Sequence, residues 1–296
     1  MSVNKIVPHL WFDKEAKQAA ELYTSLIPGS QVNNVTTIRD TPSGDCDVVA
    51  FNLAGQPFMA ISAGPMFKFN PSISFHLRCK AKDEVDALWK KLSPGGKVLM
   101  ELGSYPFSER YGWLQDRYGL SWQIIYPGNR DFSQRIVPAL MFVGNVCGKA
   151  EEALSLYASV FPGGKSNILA RYGKSAAPDK EGTVQFASFV LDGMEFGAMD
   201  SAYPHQFGFN EAISFIVKCD DQAEIDHYWG KLSHTPEAEQ CGWLKDKFGV
   251  SWQVTPRRMD EMMRSGTKEQ IGRVTQAFLK MKKFNLAELE RAYRGQ

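Results

Sequence analysis

Gly112-Trp-Leu-Gln-Asp-Arg-Tyr-Gly-Leu-Ser-Trp-Gln123 recurs 130 residues later as Gly242-Trp-Leu-Lys-Asp-Lys-Phe-Gly-Val-Ser-Trp-Gln253. The differences between the two stretches are conservative or fall on charged positions. A spacing of this length is about one domain, whereas solenoid units repeat every roughly 20 to 50 residues. The sequence therefore predicts a duplicated fold, in which each candidate site can be compared between a first copy and a second copy.

The composition is typical of a soluble globular protein. The chain has 296 residues, 44% of them apolar and 23% charged, which is enough for two cores. A formal net charge of +1 gives no reason to expect a nucleic-acid or membrane partner. No apolar run approaches the roughly 20 residues of a membrane span, and we expect no signal peptide. Five cysteines without CxxC spacing indicate reduced thiols, so we expect a cytoplasmic protein.

Each copy contains the same order of elements twice. A short strand (6–12 and 136–142) precedes a helix that ends at Pro-Gly, and a hairpin with a glycine turn follows. The pattern restarts near residues 72 and 213, which predicts four β-α-β-β-β modules. Residues 93–111 have no full counterpart in the second copy, because that copy is ten residues shorter there, and they indicate a loop or an irregular hairpin.

These patterns predict an α+β fold with three parts. The first domain covers residues 1–130, the second covers residues 131–256, and a tail follows from 257 to 296. Apolar residues of the tail keep helical spacing, so we expect helices that pack onto a domain or onto a second subunit.

Paired modules with this ending resemble the vicinal oxygen chelate superfamily, which includes glyoxalase I and the extradiol dioxygenases. Within it the chain is similar to the PhnB-like branch, labelled 3-demethylubiquinone-9 3-methyltransferase-like. The residues that carry the resemblance are Tyr23, Pro28-Gly29, Trp89, Gly95-Gly96 and 116–123, and in the second copy 150–153, Tyr157, 161–163, Trp229 and 246–253. The tail from Met281 also looks like the ending of tandem members.

The resemblance implies two tandem domains of vicinal-oxygen-chelate type followed by the helical tail. In each domain the two modules would combine into one curved sheet with a cup on its concave face. The two copies would form an internal pseudo-dimer, like the homodimers of single-domain relatives. Association of whole chains through the C-terminal helices stays open.

Metal-dependent members of the superfamily place His, Glu or Gln in the cup, on the first and last strands of a module. Here the first-strand position falls on Pro8 and Pro138, and His9, one residue out of register, is expected to face away from the cup. The residues expected to line the cups are Ser62, Ser74, His76, Trp113, Gln123, Asp200, Ser214, Trp243 and Gln253. Serine and glutamine are poor metal ligands, and Asp200, which is a good one, lacks a histidine partner in the second copy, so we predict neither a metal nor a cofactor.

The polar candidates allow two interpretations. Gln123 and Gln253 each end an apolar strand, where the amide is satisfied either by the protein or by a ligand. His76 is either a strand histidine with a structural role or a general base. By strand alternation Trp122 and Trp252 face away from the glutamines and belong to the core under the helices.

Two functions follow from these interpretations. The first is a protein that binds a small molecule in one or both cups without a catalytic metal. The second is a metal-dependent lyase or dioxygenase that uses His76, Gln123 and Ser62 of the first domain. The methyltransferase label finds no support, since no glycine-rich turn follows the first strand.

Overall fold

The computed structural model describes residues 5–41 and 44–296. Residues 1–4, which belong to the segment that predicts the absence of a signal peptide, lie outside these ranges. The chain divides into a larger unit, Leu10–Ile213, and a smaller unit formed by the residues up to His9 together with Ser214–Gln296. Both units combine strands and helices, which confirms the predicted α+β class.

The first copy forms the two predicted modules. Its elements are β1 (Ile6–Phe12), α1 (Ala16–Leu26), β2 (Gln31–Thr41), β3 (Gly44–Leu53), β4 (Gln56–Ser62), β5 (Ile73–Arg78), α2 (Lys82–Leu92), β6 (Lys97–Tyr105), β7 (Ser108–Gln115) and β8 (Ser121–Ile125). The stretch 93–111 contributes β6 and the start of β7, whose pairing is interrupted by shifts in register. Of the two structures predicted for this stretch, the irregular hairpin is confirmed.

The second copy repeats this order with a shorter last module. Its elements are β9 (Ile136–Phe142), α3 (Ala150–Val160), β10 (Lys165–Arg171), β11 (Val184–Leu191), β12 (Met194–Asp200), β13 (Ile213–Cys219), α4 (Gln222–Leu232), β14 (Trp243–Lys245) and β15 (Ser251–Pro256). The tail then forms α5 (Arg257–Ser265), α6 (Lys268–Phe278) and α7 (Leu286–Arg294), as its helical spacing predicts.

An eight-stranded sheet in the larger unit joins the two copies. Its strand order is β10-β11-β12-β9-β5-β8-β7-β6. Strands β5 and β9 are antiparallel neighbours, with Ser74 opposite Ala139 and His76 opposite Val137. The second module of the first copy therefore pairs with the first module of the second copy. The expectation that the two modules of one copy share a sheet was wrong.

The aromatic core of the first copy gives the physical reason for this pairing. Phe58 on β4 lies 5.5 Å from Phe75 on β5, between ring centroids, and Tyr23 on α1 lies 5.2 Å from Trp122 on β8. The two modules of the copy thus bury apolar side chains against each other, and all four rings are almost fully buried. The two modules therefore pack face to face as parts of different sheets, and the edge of β5 pairs with β9 instead.

The smaller unit contains the strands β14-β15-β13 and, beside β13, the first residues of β1. Here the backbone N–H of Lys218 donates to the carbonyl oxygen of Lys5 at 2.8 Å. Antiparallel pairing from this point places Val7 opposite Ile216 and His9 opposite Ser214. In the larger unit, the end of β1 continues next to β4, β3 and β2.

The tail replaces a strand that the last module lacks. The backbone N–H groups of Cys241 and Gly242 donate to the carbonyl oxygens of Met281 and Lys282, both at 2.8 Å. In the first copy the equivalent edge is occupied by β6, which pairs with β7. The tail has its own apolar core, formed by Met262, Val274, Phe278, Met281, Phe284 and Leu289. The predicted packing of the tail onto a domain is thereby observed within the smaller unit.

The helices of the described part of the chain are all too short or too polar to cross a lipid bilayer.

Candidate functional site

The large sheet has one face covered by helices and one opposite face. Gly112 shows which side chains point to each face. A Cβ atom at this position would collide with the ring of Trp89 on α2, so Gly112 faces the helix. Because strand side chains alternate, Tyr111 and Trp113 point to the opposite side, which we call the inner face. Gln123 lies opposite Trp113 in the register of β7 and β8 and belongs to the same face.

The centre of the inner face is a chain of hydrogen bonds. Gln123 Nε2 donates to Ser74 Oγ at 2.7 Å, and the Tyr111 hydroxyl donates to Gln123 Oε1 at 2.6 Å. All three side chains are buried. The amide is therefore held at both ends by groups from neighbouring strands, which fixes its orientation. Burial also raises the pKa of Tyr111, so its hydroxyl stays protonated and keeps donating.

His76 completes this set of residues. It lies opposite Gln123 and its ring stacks on Phe186 with 5.9 Å between ring centroids. Its Nε2 atom is buried without a hydrogen-bond partner. Burial lowers the pKa of His76 from 6.5 to about 4; the charge of Arg78 acts in the same direction and a polar contact with Gln123 acts against it. The imidazole is therefore neutral at physiological pH.

The other groups near His76 are apolar or belong to an ion pair, so its surroundings carry no net charge. The guanidinium of Arg78 donates to both carboxylate oxygens of Glu195, at 2.8 and 2.5 Å. A Cβ atom at Gly197 would touch both Ala139 and Phe186 at 3.4 Å, so these residues form a continuous small and aromatic wall. We refer to Ser74, His76, Tyr111, Trp113 and Gln123 as the larger-unit cluster.

Trp113 lies at the border of this cluster. Its ring is half-buried, and its Nε1 donates to Ser121 Oγ at 2.8 Å. The sequence predicts Trp113 for the cup, and the register places it on the inner face, opposite Gln123. Tyr111 was missed, although it stands two residues before Trp113 and shares its face by simple alternation.

The smaller unit repeats the central hydrogen bond. Gln253 Nε2 donates to Ser214 Oγ at 2.9 Å, and Trp243 lies opposite Gln253. The counterparts of Tyr111 and His76 are Cys241 and Ile216, so the hydrogen-bond chain is shorter here.

His9 corrects an expectation from the sequence. It was expected to face away from the cup, but it lies opposite Ser214 and its ring meets that of Trp243 edge-on, with centroids 5.4 Å apart. The expectation was wrong because Pro8 was assigned to the ligand position. Pro8 lies opposite Phe215, whose ring packs against Trp252 in the core. Only the pairing of β1 with β13 reveals this, since each strand alone is compatible with either face.

Burial also keeps His9 uncharged. Its Nδ1 atom has no hydrogen-bond partner, and burial lowers the pKa of His9 from 6.5 to about 3, with a further contribution from the charge of Lys218. We refer to His9, Ser214, Trp243 and Gln253 as the smaller-unit cluster.

Ser62 and Asp200 lie in neither cluster. Ser62 Oγ accepts a hydrogen bond from the backbone N–H of Ala16 at 3.2 Å, at the start of α1. The equivalent Asp200 is buried and accepts from the N–H groups of Gly148, Ala150 and Val184 at 2.7, 3.1 and 3.0 Å. Desolvation raises the pKa of Asp200, and these backbone hydrogen bonds act against the rise. Both residues connect the end of a strand to the helix of their module.

The donor set does not fit the divalent metal that the superfamily resemblance implies. Within residues 5–41 and 44–296, no group of three or more His, Cys, Asp or Glu side chains could hold a metal ion. In the larger-unit cluster, His76 is accompanied by a hydroxyl and by an amide whose two ends are already engaged. First-row metals require several converging imidazole, thiolate or carboxylate ligands, and one imidazole does not provide them.

Comparison with known proteins agrees with the duplicated architecture. The family model described as 3-demethylubiquinone-9 3-methyltransferase matches twice, at residues 4–125 and 134–255. The chain belongs to this family. The two matches of the family model correspond to the two copies, and the tail lies outside both. No curated protein matches the chain significantly.

Several solved structures are similar to this chain. A putative 3-demethylubiquinone-9 3-methyltransferase, PhnB protein, from Bacillus cereus is 36% identical over 42% of this chain and 99% of its own, with a TM-score of 0.39. Glyoxalase I from Zea mays is 11% identical over 88% and 96%, with a TM-score of 0.53. A putative dioxygenase from Bacillus subtilis is 12% identical over 84% of each chain, with a TM-score of 0.51. At these two low identities the likeness concerns the fold alone, and it confirms the predicted resemblance.

Proposed function

We propose that this chain binds a small, neutral, largely apolar molecule against the inner face of its sheets, without a catalytic metal. The observation that carries this proposal is the duplicated hydrogen bond of Gln123 with Ser74 and of Gln253 with Ser214, at 2.7 and 2.9 Å. The same polar pair stands beside a half-buried tryptophan in both copies.

The surroundings of the larger-unit cluster support a ligand site. Binding sites for small molecules are mostly apolar and contain a few fixed polar groups that orient the ligand. Here the apolar part is formed by Phe186, Ala139 and Trp113, and the amide of Gln123 is fixed at both ends. His76 Nε2 is the buried polar atom that still lacks a partner. A ligand hydroxyl, amide or carbonyl would supply that partner.

The charges of the cluster favour a neutral ligand. His76 is uncharged because burial lowers its pKa to about 4, and Arg78 is neutralised by Glu195. An anion would find no free cationic group in this cluster, and a cation would find no free carboxylate. Burying an unpaired charge in such a place costs more free energy than burying a neutral molecule.

The alternative of a metal-dependent lyase or dioxygenase needs Ser62 beside His76 and Gln123. Ser62 Oγ accepts the N–H of Ala16 at the start of α1, and the donor set does not fit the metal. The methyltransferase label of the family likewise rests on no residue pattern of this chain. The segment between β1 and α1 is Asp-Lys-Glu, without the glycine-rich turn that commonly holds a nucleotide-type methyl donor.

The test uses neutral and charged fragments of the same size. Saturation-transfer NMR with phenol and benzamide should show saturable binding to the full chain, and benzoate and benzylamine should bind at least about tenfold more weakly. Ser74→Ala with Gln123→Leu should abolish the binding of the neutral fragments, whereas Ser25→Ala with Gln18→Leu, on the exposed side of α1, should not. Equal binding by both double variants would refute the proposal.

Metal analysis of the purified protein tests the second part of the proposal. We expect no divalent metal at a stoichiometric level and no thermal stabilisation by zinc, nickel, manganese or magnesium. A stoichiometric metal that is lost in His76→Ala would establish the metal-dependent alternative instead.

A further inference from the structure

The last two helices of the tail border a groove that the proposed function does not use. The groove has a volume of about 930 Å³, and none of its lining residues belongs to either cluster. On the side of α6 these residues follow the spacing of one helix face: Glu269, Gly272, Arg273, Gln276, Ala277 and Lys280. The face is about 16 Å long, because each helical residue adds about 1.5 Å. A groove between two helices is suited to the docking of another helix.

The charged groups at the two ends of this face have no partner within the chain. Lys282, close to the groove in sequence, pairs with Glu239 at 3.5 Å. In contrast, neither Lys280 nor Glu269 forms an ion pair with any residue that the structure describes. An opposite charge from outside the chain can therefore pair with each of them.

The middle of the face carries no large side chain. A Cβ atom at Gly272 would meet nothing within 4 Å, although glycine destabilises the interior of a helix. Packing within the chain therefore gives no reason for a glycine at this position. Ala277, on the other side of the midpoint, is also small. Small residues such as these allow another backbone to approach closely.

The face is complementary to itself when two copies of it run in opposite directions. Residues at equal distances from its midpoint form three matching pairs: Glu269 with Lys280, Gly272 with Ala277, and Arg273 with Gln276. The first pair joins opposite charges, the second joins two small residues, and the third joins a guanidinium with an amide. A two-fold axis requires this kind of match, because the same surface of both subunits meets itself.

Arg273 is held in position for such a contact. Its Nε and Nη2 atoms donate to the carbonyl oxygens of Ala292 and Tyr293 on α7, at 2.8 and 3.0 Å. An arginine has five N–H donors, so these two hydrogen bonds leave others available for an amide oxygen.

We propose that two copies of this chain associate through this face, with α6 of each copy antiparallel to α6 of the other and seated in the groove beside α7. The tail lies outside both matches of the family model, so this contact is separate from the pairing of the modules. The inference does not depend on ligand binding at the inner faces.

Sedimentation equilibrium of the full chain, from micromolar to submillimolar concentrations, measures this association. We expect a reversible equilibrium between monomer and dimer. Glu269→Lys and Lys280→Glu each replace two attractive pairs by two repulsive ones, so each should weaken the dimer at least about tenfold. Lys90→Glu, an equal change of charge at an exposed position of α2, should leave the dimer unchanged.

Mixing the two weakened variants provides a stricter test. One variant carries lysine at both ends of the face and the other carries glutamate at both ends, so a mixed dimer regains both ion pairs. We expect the mixture, and also the double variant Glu269→Lys with Lys280→Glu, to associate as strongly as the parent chain. Because only folded chains can recover in this way, the recovery separates lost association from unfolding.

Gly272→Phe tests the close approach of the helices. The Cβ atom at this position meets no neighbour, so the variant should fold, but its ring would occupy the groove and should abolish the dimer. Gly230→Phe, at an equally open glycine of α4, is the matched control. A parent chain that stays monomeric at submillimolar concentration, or a dimer that persists in Gly272→Phe, would overturn the inference. Failure of the mixed variants to associate would overturn it as well.

Discussion

Gln123 donates from Nε2 to the hydroxyl of Ser74 at 2.7 Å, across the parallel neighbours β8 and β5. The same donor and acceptor types meet at 2.9 Å between β15 and β13. A glutamine on one strand and a serine on the next thus connect the last strand of a module to its first strand. The connection survives in both copies although Tyr111, which orients Gln123, has become Cys241 in the second copy.

Removing the acceptor of this pair should destabilise the larger unit. We expect Ser74→Ala to lower the free energy of unfolding by about 1–3 kcal/mol, because the buried amide of Gln123 then lacks a partner. Ser74→Ala with Gln123→Leu should cost less than the sum of the single variants, since both halves of the pair are gone. Urea unfolding of the four proteins measures this coupling. Strictly additive free energies would contradict it.

Asp116 should be among the most sensitive residues of the repeated motif. Its buried carboxylate accepts from the Tyr23 hydroxyl at 2.7 Å, from Trp122 Nε1 at 3.0 Å, and from the N–H groups of Tyr118 and Leu120. Desolvation raises its pKa, and the four hydrogen bonds act against the rise. We expect Asp116→Ala to cost about 3–5 kcal/mol of unfolding free energy, because four donors lose their acceptor.

Tyr23→Phe is the matched control for Asp116→Ala. It removes one of the four donors, keeps the ring that packs on Trp122, and should cost about 1 kcal/mol. Thermal unfolding followed by tryptophan fluorescence compares the two. Equal losses would show that the carboxylate contributes only through Tyr23.

Buried histidines should make the protein less stable in mild acid. The pKa of His76 falls from 6.5 to about 4 on folding, so between these pH values the unfolded chain binds more protons than the folded chain. Its contribution is fully present above pH 6.5 and is lost as the pH falls toward 4, by roughly 3 kcal/mol. His76→Gln should flatten the stability profile in this window, whereas His234→Gln, at an exposed position, should not. Identical profiles for the parent chain and His76→Gln would contradict the assignment.

The contact of the tail with the repeated motif should stabilise the smaller unit. A Cβ atom at Gly242 would lie 2.6 Å from the ring of Phe284 and 2.9 Å from the carbonyl oxygen of Val254, and Gly242 has a φ of +82°. We therefore expect Gly242→Ala to cost several kcal/mol, about as much as the roughly 3–5 kcal/mol expected for Phe284→Ala. Urea unfolding measures both.

Gly272→Ala provides the control, since a Cβ atom there meets nothing within 4 Å in the middle of α6. It should stabilise the helix by about 0.5–1 kcal/mol. A neutral Gly242→Ala would mean that the tail does not hold the motif in this position.

The sequence of a single strand predicts which of its side chains share a sheet face, but it does not predict what those side chains contact. Gln123 and Trp113 share a face by alternation, and Trp122 is buried on the other face, as expected. Asp200 was expected to line the cup of the second copy, but its carboxylate accepts from three backbone N–H groups around α3. Hydrogen bonds between a carboxylate and backbone N–H groups far along the chain cannot be recognised from the local sequence.

Sequence reasoning alone predicts the duplicated architecture, the four modules, the helical tail and the face on which each glutamine lies. These features follow from local rules, namely the two periodicities of strands and helices and the conformational demands of glycine turns. The folded chain was needed to show that β5 pairs with β9 and β1 with β13, and therefore that His9 lies opposite Ser214. The free edge of a strand presents the same N–H and C=O groups to any partner, so the choice depends on how the cores pack.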